Sequence, residues 1–393
     1  MPQLETKKFM KILFKKFINC WFGLFISTLA QAQAINGVAY TPDEYLFSQG
    51  QNWHYHTTTA NKPKQLNFRG PSEDEKEIVE TAQRLLVTTS AKSIALINGD
   101  DVVWVGYKPP ADKEVHLLSQ SIAKTVTSMA VGKAICQGKF SLNSVTEDLV
   151  PELRGTDLGK STVRNLLMMT SGTWHKSGNL NTGIFDEEQN RAIRAGRLSQ
   201  LDIIQKFPIS SYQNSFFSTG KSGESFYYHA TDPLTLGIII NKTTGIEFAK
   251  WVEKEVLIPA GIKTYGIIGR DKFGYGNADA GIRLTMEDWV RFAIWVKESQ
   301  VANGCFGDYV RAASTTQISN HTDIGKSFGG YGYLIWTDNI RLADSYWAIG
   351  YGGQRIAWNH KNNRILVVFS NLENFMDNLY GLYREWALLP DQK

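Results

Sequence analysis

The order of strand and helix patterns along the chain predicts an α+β fold, with an antiparallel sheet, flanking helices and a mainly helical inserted domain. Strand patterns at 92–97 and 102–107 surround an Asn-Gly-Asp-Asp turn, which is typical of a hairpin. Helical patterns dominate from residue 121 to about residue 320, and strand patterns then return. Strands on both sides of a long helical stretch indicate one discontinuous sheet that joins the two chain ends.

Local signals place the individual elements. A helix at 73–87 follows Ser72, a residue type that caps helices, and carries acidic residues in its first turn. A second helix follows Ser121, because apolar residues recur there at helical spacing until Gly138. Further helical patterns lie at 163–169, 201–207, 233–243, 247–257 and 285–299. The later strand patterns lie at 331–337, 346–349, 354–359 and 364–370, before a final helix at 375–388.

The first 32 residues have the pattern of a signal peptide. Five lysines precede an apolar stretch at 17–30, which ends in the small-residue string Ala30-Gln31-Ala32. The stretch is shorter than the roughly 20 residues that a membrane-spanning helix needs. We therefore expect a periplasmic or secreted protein without stable membrane insertion after signal removal, and an uncleaved N-terminal anchor is the alternative. The chain then divides into this leader, an N-terminal arm at 33–70 and a main domain at 71–390, with sheet regions at 85–120 and 325–390.

The charge balance argues against a nucleic-acid partner. The full chain has 42 basic and 38 acidic side chains; removing residues 1–32 takes away five lysines and Glu5, which leaves 37 of each. A nucleic-acid-binding surface would need a basic excess. The seven histidines are scattered and show no metal-ligand spacing, so we expect neither a metal nor a cofactor.

Two cysteines remain after the leader, Cys136 and Cys305. An exported chain permits a disulfide. Cys136, however, lies on the predicted buried helix after Ser121, where a free thiol acts as a small hydrophobic side chain. We therefore expect a free thiol, and a disulfide between the two is the alternative.

Ser121 and Lys124 form a Ser-x-x-Lys motif at the start of the second helix. Residues three apart share one helix face, so the amine can take or donate a proton at the hydroxyl. Unpaired N–H groups at the helix start can stabilise an oxyanion. The motif is weak alone, since Ser218 and Lys221 repeat it in a loop-like segment, and a solvated helix start would look the same. Only the first copy is followed by an apolar helical stripe.

Two further sequence elements follow Ser121 along the chain, in the order that an acyl-transfer site would need. Tyr228 could shuttle a proton to the leaving group, particularly beside a lysine, although a packed structural tyrosine is the simpler interpretation. The string Gly350-Tyr351-Gly352-Gly353-Gln354 leads into a strand. Its glycines allow close approach of a ligand, and the Gln354 amide could be a second oxyanion donor; a glycine-rich strand start is the alternative.

Together these residues resemble the serine β-lactamase and penicillin-recognising family, particularly its class C-like branch, which includes D-alanyl peptidases, esterases and aminohexanoate-oligomer hydrolases. The resemblance covers roughly residues 85–388 and implies a β-lactamase/transpeptidase-like fold. Three further strings carry it: Leu166-Leu167-Met168-Met169-Thr170-Ser171-Gly172, Pro259-Ala260-Gly261-Ile262 and Gly330-Tyr331-Gly332-Tyr333.

The resemblance implies a role for each matched residue. Ser121 is expected to be the nucleophile, Lys124 its proton partner and Tyr228 the general base or acid. The backbone amides of Ser121 and Gln354 are expected to form the oxyanion hole. Which of Lys124 and Tyr228 deprotonates the serine stays open. The residues expected to face the substrate are Tyr351, Gly352, Gly353 and Trp174.

Departures from the family pattern bear on the substrate. Ala230 stands where penicillin-recognising members carry an asparagine that bonds the substrate and the lysine. Tyr351 stands where they carry Lys or His, so the cation that would meet a β-lactam carboxylate is missing. Arg355 could restore that charge, yet its alternation with Gln354 turns it away.

Three functions are consistent with the sequence. The leading hypothesis is an exported serine hydrolase that cleaves a small-molecule ester or amide through an acyl-enzyme. A β-lactamase or D-alanyl-peptide hydrolase is the alternative enzyme. A non-catalytic ligand sensor on the same fold is the alternative from another class, and the intact Ser121, Lys124 and Tyr228 weigh against it.

Overall fold

The architecture is known from a computed structural model, which describes residues 33–35, 38–40, 54–60, 62–173, 187–205 and 221–390. The signal-peptide prediction and Trp174 lie outside the described residues. In the described part, no helix is both long and apolar enough to cross a membrane.

A nine-stranded sheet forms the centre of the molecule. Its strand order is β10-β11-β12-β13-β14-β15-β5-β6-β4, and every pair is antiparallel except β4 with β6. The predicted sheet that joins both chain ends is present, because β5 pairs with β15 along its whole length. The strands are β4 (Asn67–Phe68), β5 (Ala91–Asn98), β6 (Asp101–Tyr107), β10 (Ile318–Ser319), β11 (Phe328–Tyr331), β12 (Trp336–Asn339), β13 (Leu342–Gly350), β14 (Gln354–Asn359) and β15 (Arg364–Ser370).

Two smaller sheets lie outside this one. A four-stranded sheet has the order β3-β8-β9-β7 and includes two strands inside the stretch predicted to be mainly helical, β8 and β9. The N-terminal arm contributes β3 to this sheet and β4 to the large one. The strands of the smaller sheets are β1 (Gln33–Ile35), β2 (Val38–Tyr40), β3 (His54–Thr57), β7 (His116–Leu118), β8 (Ile267–Arg270) and β9 (Ile282–Thr285).

Helices cover the large sheet, whose strands β14 and β15 are buried at every position. The described helices are α1 (Glu73–Thr88), α2 (Ile122–Cys136), α3 (Thr146–Leu149), α4 (Asp157–Lys160), α5 (Val163–Leu167), α6 (Glu187–Arg194), α7 (Gln200–Ile204), α8 (Thr231–Thr244), α9 (Phe248–Val252), α10 (Met286–Val301), α11 (Cys305–Ala313) and α12 (Met376–Leu388). A 3₁₀ turn at Pro151–Leu153 and a π turn at Glu253–Leu257 complete the set. The π turn continues α9, so the single helix predicted at 247–257 changes half-way from α-helical to π-helical hydrogen bonding.

The helix α2 is buried on nearly every side. Twelve of its fifteen residues are buried, and it packs against α8, α11, β13 and β14. A helix that is buried on all its faces belongs to the core. Because packing fixes this helix from all directions, the residues at its N-terminus are held rigidly.

The prediction of a free thiol at Cys136 is wrong. Cys136 is the last residue of α2 and Cys305 the first of α11, and the two form a disulfide with their Cα atoms 5.7 Å apart. The reason is the packing of α11 against α2, which brings together residues 169 positions apart in sequence. The bridge ties the C-terminal end of α2 to the helix beside it.

Candidate active site

Ser121 lies at the N-terminus of α2, immediately after a strained residue. Gln120 has a φ of +47°, a left-handed conformation that non-glycine residues seldom adopt. This sharp turn connects the segment after β7 to the helix and leaves Ser121 partly exposed. The predicted nucleophile therefore sits at the end of a buried, rigid helix.

Lys124 lies one helical turn further, and its ammonium group faces the serine. Its Nζ is 3.0 Å from Ser121 Oγ and 3.1 Å from the backbone carbonyl oxygen of Asp279, and both oxygens accept from it. The lysine side chain is only 4% exposed. The structure therefore brings together the two residues of the predicted motif at hydrogen-bonding distance.

Asp279 is a residue of the site that no sequence motif indicated. It lies in the loop between β8 and β9, outside any motif, and its carboxylate Oδ2 is 3.9 Å from Lys124 Nζ. Burial raises the pKa of the Asp279 carboxyl, and the nearby Lys124 charge partly opposes that rise. A carboxylate thus faces the predicted proton partner of Ser121 from the side of the small sheet.

Tyr228 lies beside the same lysine. The Nζ of Lys124 is 5.0 Å from the centre of the Tyr228 ring, within the range of a cation–π contact. Trp336 and Tyr331 pack against the phenol ring, with ring centres 5.1 and 6.2 Å away. The structure therefore groups Ser121, Lys124 and Tyr228, as the sequence predicts for a proton-transfer set.

A buried histidine–aspartate contact holds the segment that carries Tyr228. His229 Nε2 is 3.2 Å from Asp232 Oδ2 at the start of α8, and the backbone N–H of Ser171 donates to the same carboxylate oxygen at 3.4 Å. Asp232 is fully buried. The turn at Thr170, Ser171 and Gly172 is thus joined to the segment that carries Tyr228. The sequence did not indicate this contact.

The glycine-rich turn closes the site from the large sheet. Gly352 and Gly353 connect β13 to β14 with φ values of +80° and +98°, which favour glycine. Gly350 lies so close to the segment before the nucleophile that an added Cβ would be 2.5 Å from the Ser119 carbonyl oxygen. This close approach places β14, which begins at Gln354, next to the nucleophile turn.

The side chain of Gln354 stabilises the turn that precedes β14. Its Oε1 accepts from the Ser370 amide at 2.8 Å, and its Nε2 donates to the Tyr351 carbonyl at 2.6 Å. Both contacts brace the turn.

Arg355, which could have supplied a positive charge at the rim of the site, is occupied by other groups. Arg355 is buried and donates to the carbonyl oxygens of Gly350 and Gln354 at 2.7 and 2.9 Å. Its other terminal nitrogen lies 3.4 Å from a carboxylate oxygen of Glu373. Tyr351 is 46% exposed, and burial together with the Glu373 charge raises the pKa of its phenol. Arg355 is thus buried within the turn, as the strand alternation indicated.

No metal centre is visible in the described part of the chain. Among those residues, no three His, Cys, Asp or Glu side chains gather in a way that could hold an ion.

Comparison with known families accounts for this combination of groups. The family model described as Beta-lactamase matches residues 84–388. The chain belongs to the β-lactamase family. Its fold is the β-lactamase/transpeptidase-like α+β fold that the sequence predicted, and it is a serine hydrolase of that family.

Individual relatives of this β-lactamase-family chain are distant. A 6-aminohexanoate-dimer hydrolase from Paenarthrobacter ureafaciens is 23% identical over 303 residues, 74% of each chain. A Bacillus anthracis protein provisionally named as a 6-aminohexanoate-dimer hydrolase superposes with a TM-score of 0.69 at 15% identity, over 91% of this chain and 96% of its own. A class C β-lactamase superposes with a TM-score of 0.58 at 16% identity, over 82% and 98%. At such identities the structures support the fold alone.

Proposed function

We propose that this hydrolase is exported and cleaves a small ester or linear amide through an acyl-enzyme on Ser121. The contact that carries the proposal is the 3.0 Å hydrogen bond between Lys124 Nζ and Ser121 Oγ at the start of a buried helix. A serine hydroxyl needs such a proton partner to be a nucleophile near neutral pH. Tyr228 beside the same lysine supplies a second group for proton transfer.

In the acylation step, Ser121 Oγ attacks the substrate carbonyl carbon as its proton passes to the Lys124–Tyr228 pair. The carbonyl oxygen becomes an oxyanion, which the amides of Ser121 and Gln354 stabilise. The proton then moves to the leaving alcohol or amine as the bond to the carbonyl carbon breaks. Water repeats the sequence on the ester and releases the acid together with free Ser121.

The charges at the rim support neutral rather than anionic substrates. Arg355 is occupied by two carbonyls and Glu373, and the exposed Tyr351 has no positive charge to offer. Ala230 has no amide to bond a substrate carbonyl. A β-lactam carboxylate would therefore find no available cation at Tyr351 or Arg355, which weakens its binding. The Paenarthrobacter relative is named as a 6-aminohexanoate-dimer hydrolase, which supports an amide as one substrate class.

Export is supported by the leader pattern at residues 1–32 and by the disulfide between Cys136 and Cys305. Disulfides persist in oxidising compartments and are rare in the cytosol. N-terminal sequencing of protein expressed in a bacterial host should begin near Gln33. Full-length protein in the cytoplasmic fraction, with both thiols free, would contradict export.

Labelling with a fluorophosphonate probe, followed by intact mass spectrometry, tests the nucleophile. We expect one probe per chain in the wild type and none in Ser121→Ala, with unchanged folding because this substitution costs only about 1 kcal/mol at a helix start. Ser128→Ala is the matched control, since Ser128 lies on the same helix but bonds Tyr309 at 3.1 Å instead of the lysine. Labelling or ester turnover retained by a folded Ser121→Ala protein would remove Ser121 as the nucleophile.

Steady-state kinetics on matched substrates test the substrate class. We expect p-nitrophenyl butyrate to be hydrolysed with a higher kcat/KM than nitrocefin by orders of magnitude, because each lost contact of about 1.4 kcal/mol is tenfold in rate. Efficient nitrocefin hydrolysis with poor ester turnover would favour the β-lactamase alternative.

A further inference from the structure

Two exposed apolar side chains and one carboxylate lie at the rim of the site. Tyr351 is 46% exposed and Leu372 is 47% exposed. Glu373 follows Leu372 directly, and its side chain is also 46% exposed. Burial and the charge of Glu373 both raise the pKa of the Tyr351 phenol, so the carboxylate acts on this ring. We call these three residues the rim patch.

The rim patch is built on two backbone segments that touch each other. An added Cβ on Gly353 would lie 2.9 Å from the Leu372 carbonyl oxygen. The same carbonyl accepts a hydrogen bond from Ser90 Oγ at 3.0 Å, which fixes the second segment from the residue before β5. Tyr351 on the first segment and Glu373 on the second are therefore held on neighbouring parts of one surface.

This surface borders the nucleophile turn. Tyr351 lies directly after Gly350, whose added Cβ would be 2.5 Å from the Ser119 carbonyl oxygen. Ser119 precedes Ser121 by two positions. A substrate whose carbonyl carbon lies at Ser121 Oγ can therefore reach the rim patch with another part of its chain.

The exposed charge of the rim patch is negative. The Glu373 carboxylate pairs with Arg355 at 3.4 Å, but this guanidinium is only 4% exposed and also donates to two backbone carbonyls. The positive end of the pair is thus buried, and the negative end faces water. Within the described chain, no other basic side chain lies within 4.0 Å of Glu373. An incoming group meets an aromatic ring and a carboxylate, both of which attract cations.

We propose that Tyr351 and Glu373 form a subsite for a positively charged group of the substrate, so that the hydrolase prefers esters or amides that carry an ammonium group. The inference rests on the proposed function and narrows its substrate class. The face of the Tyr351 ring attracts the cation, and the Glu373 carboxylate attracts it by charge. Leu372 packs against the methyl or methylene groups beside the nitrogen. Arg355 holds the carboxylate in place from the buried side.

A pair of esters of equal shape tests the subsite in the wild type. Butyrylcholine and 3,3-dimethylbutyl butyrate differ only in the replacement of a charged nitrogen by a carbon. We expect kcat/KM for butyrylcholine to be about 5- to 30-fold higher, because an exposed cation gains a few-fold from a ring and a few-fold from a carboxylate. The same exchange in the acyl chain uses the p-nitrophenyl esters of 4-(trimethylammonio)butyrate and 5,5-dimethylhexanoate. The pair that shows the preference identifies the side of the scissile bond that points to the rim patch.

Two variants assign the preference to the rim patch. Glu373→Gln keeps the side-chain size and an oxygen for Arg355, and it should lower the ratio of charged to neutral ester roughly three- to tenfold. Tyr351→Leu keeps an apolar side chain but removes the ring, and it should lower the ratio roughly two- to fivefold. Both esters are measured in the same variant, so a general loss of catalysis cancels from the ratio.

Glu385→Gln is the matched control. Glu385 is an exposed carboxylate on α12, the helix that follows the rim patch, and its replacement removes the same charge from another part of the surface. The ratio in this variant should equal that of the wild type.

Three outcomes would overturn the inference. Equal kcat/KM values within both ester pairs would show that no cation subsite exists. A preference that survives both Glu373→Gln and Tyr351→Leu would place the subsite elsewhere. An equal fall of the ratio in Glu373→Gln and Glu385→Gln would show a general effect of surface charge. Failure of the proposed function is distinguishable, since the wild type would then hydrolyse none of these esters and show no probe labelling at Ser121.

Discussion

We predict that the buried carboxylate of Glu75 makes the free energy of unfolding fall in acid. The carboxylate is fully buried at the start of α1 and accepts from Arg69 at 2.6 and 2.9 Å, from Arg364 at 2.7 Å and from the Ser72 amide at 3.0 Å. Burial alone would raise the pKa of Glu75. The hydrogen bonds from Arg69 and Ser72 and the charges of the two arginines outweigh it and lower the pKa from 4.5 to about 2.

This lowered pKa fixes both the sign and the size of the effect. The carboxylate form is favoured in the folded state, so its contribution is fully present above pH 4.5 and is lost as the pH falls toward 2. The difference between the two pKa values corresponds to about 3 kcal/mol. Glu75→Gln removes this contribution at every pH and leaves Arg364 buried without its carboxylate. We expect a loss of about 3 to 5 kcal/mol at pH 7.

Urea unfolding of the wild type and of Glu75→Gln at pH 7, 5, 4 and 3 measures the effect. The difference between the two proteins should be largest at pH 7 and should shrink below pH 4.5. Glu73→Gln is the control, because Glu73 lies in the same helical turn, is 85% exposed and, among the described residues, pairs only with Lys76; it should cost less than about 1 kcal/mol. A difference that stays constant from pH 7 to pH 3 would refute the reasoning.

Three further changes test other features. Replacing Cys136 and Cys305 together by serine should cost about 3 to 5 kcal/mol, because the bridge closes a loop of 169 residues, and thermal unfolding with and without reductant measures this. Trp336→Leu removes a ring that packs against Tyr228, so kcat should fall on the order of 10- to 100-fold while the melting temperature shifts by only a few degrees. Gly350→Ala would push the oxyanion turn away from the nucleophile segment, and kcat/KM should fall about 100-fold with the fold retained by circular dichroism.

The features that depend on local spacing could be predicted from the sequence. The strands at 354–359 and 364–370 have the bounds that the alternation and turn signals indicated. Ser121 and Lys124 meet because helical geometry alone puts residues three apart on one face. The hairpin turn after β5 follows from its Asn-Gly string in the same way.

The features that depend on distant segments could not be predicted. The Cys136–Cys305 bridge needs the packing of two helices, and no local pattern records that packing. Asp279 reaches Lys124 from a loop 155 positions away, and a lone aspartate in a loop carries no signal. The burial of Arg355 was indicated by strand alternation, but its pairing with Glu373 was not, since Glu373 follows the next strand.

The pairing of β5 with β15 has a consequence for folding during synthesis on the ribosome. Asn98 pairs with Arg364 and Ala91 with Ser370, so the partners are 266 and 279 positions apart. Such contacts form late, because a long intervening chain must first be brought together. A nascent polypeptide that is still short of residue 370 has an incomplete central sheet, because β15 is the strand that joins β14 to β5. Nearly the entire chain must therefore leave the ribosome before the nucleophile turn acquires its final shape, and a product truncated before β15 should be inactive.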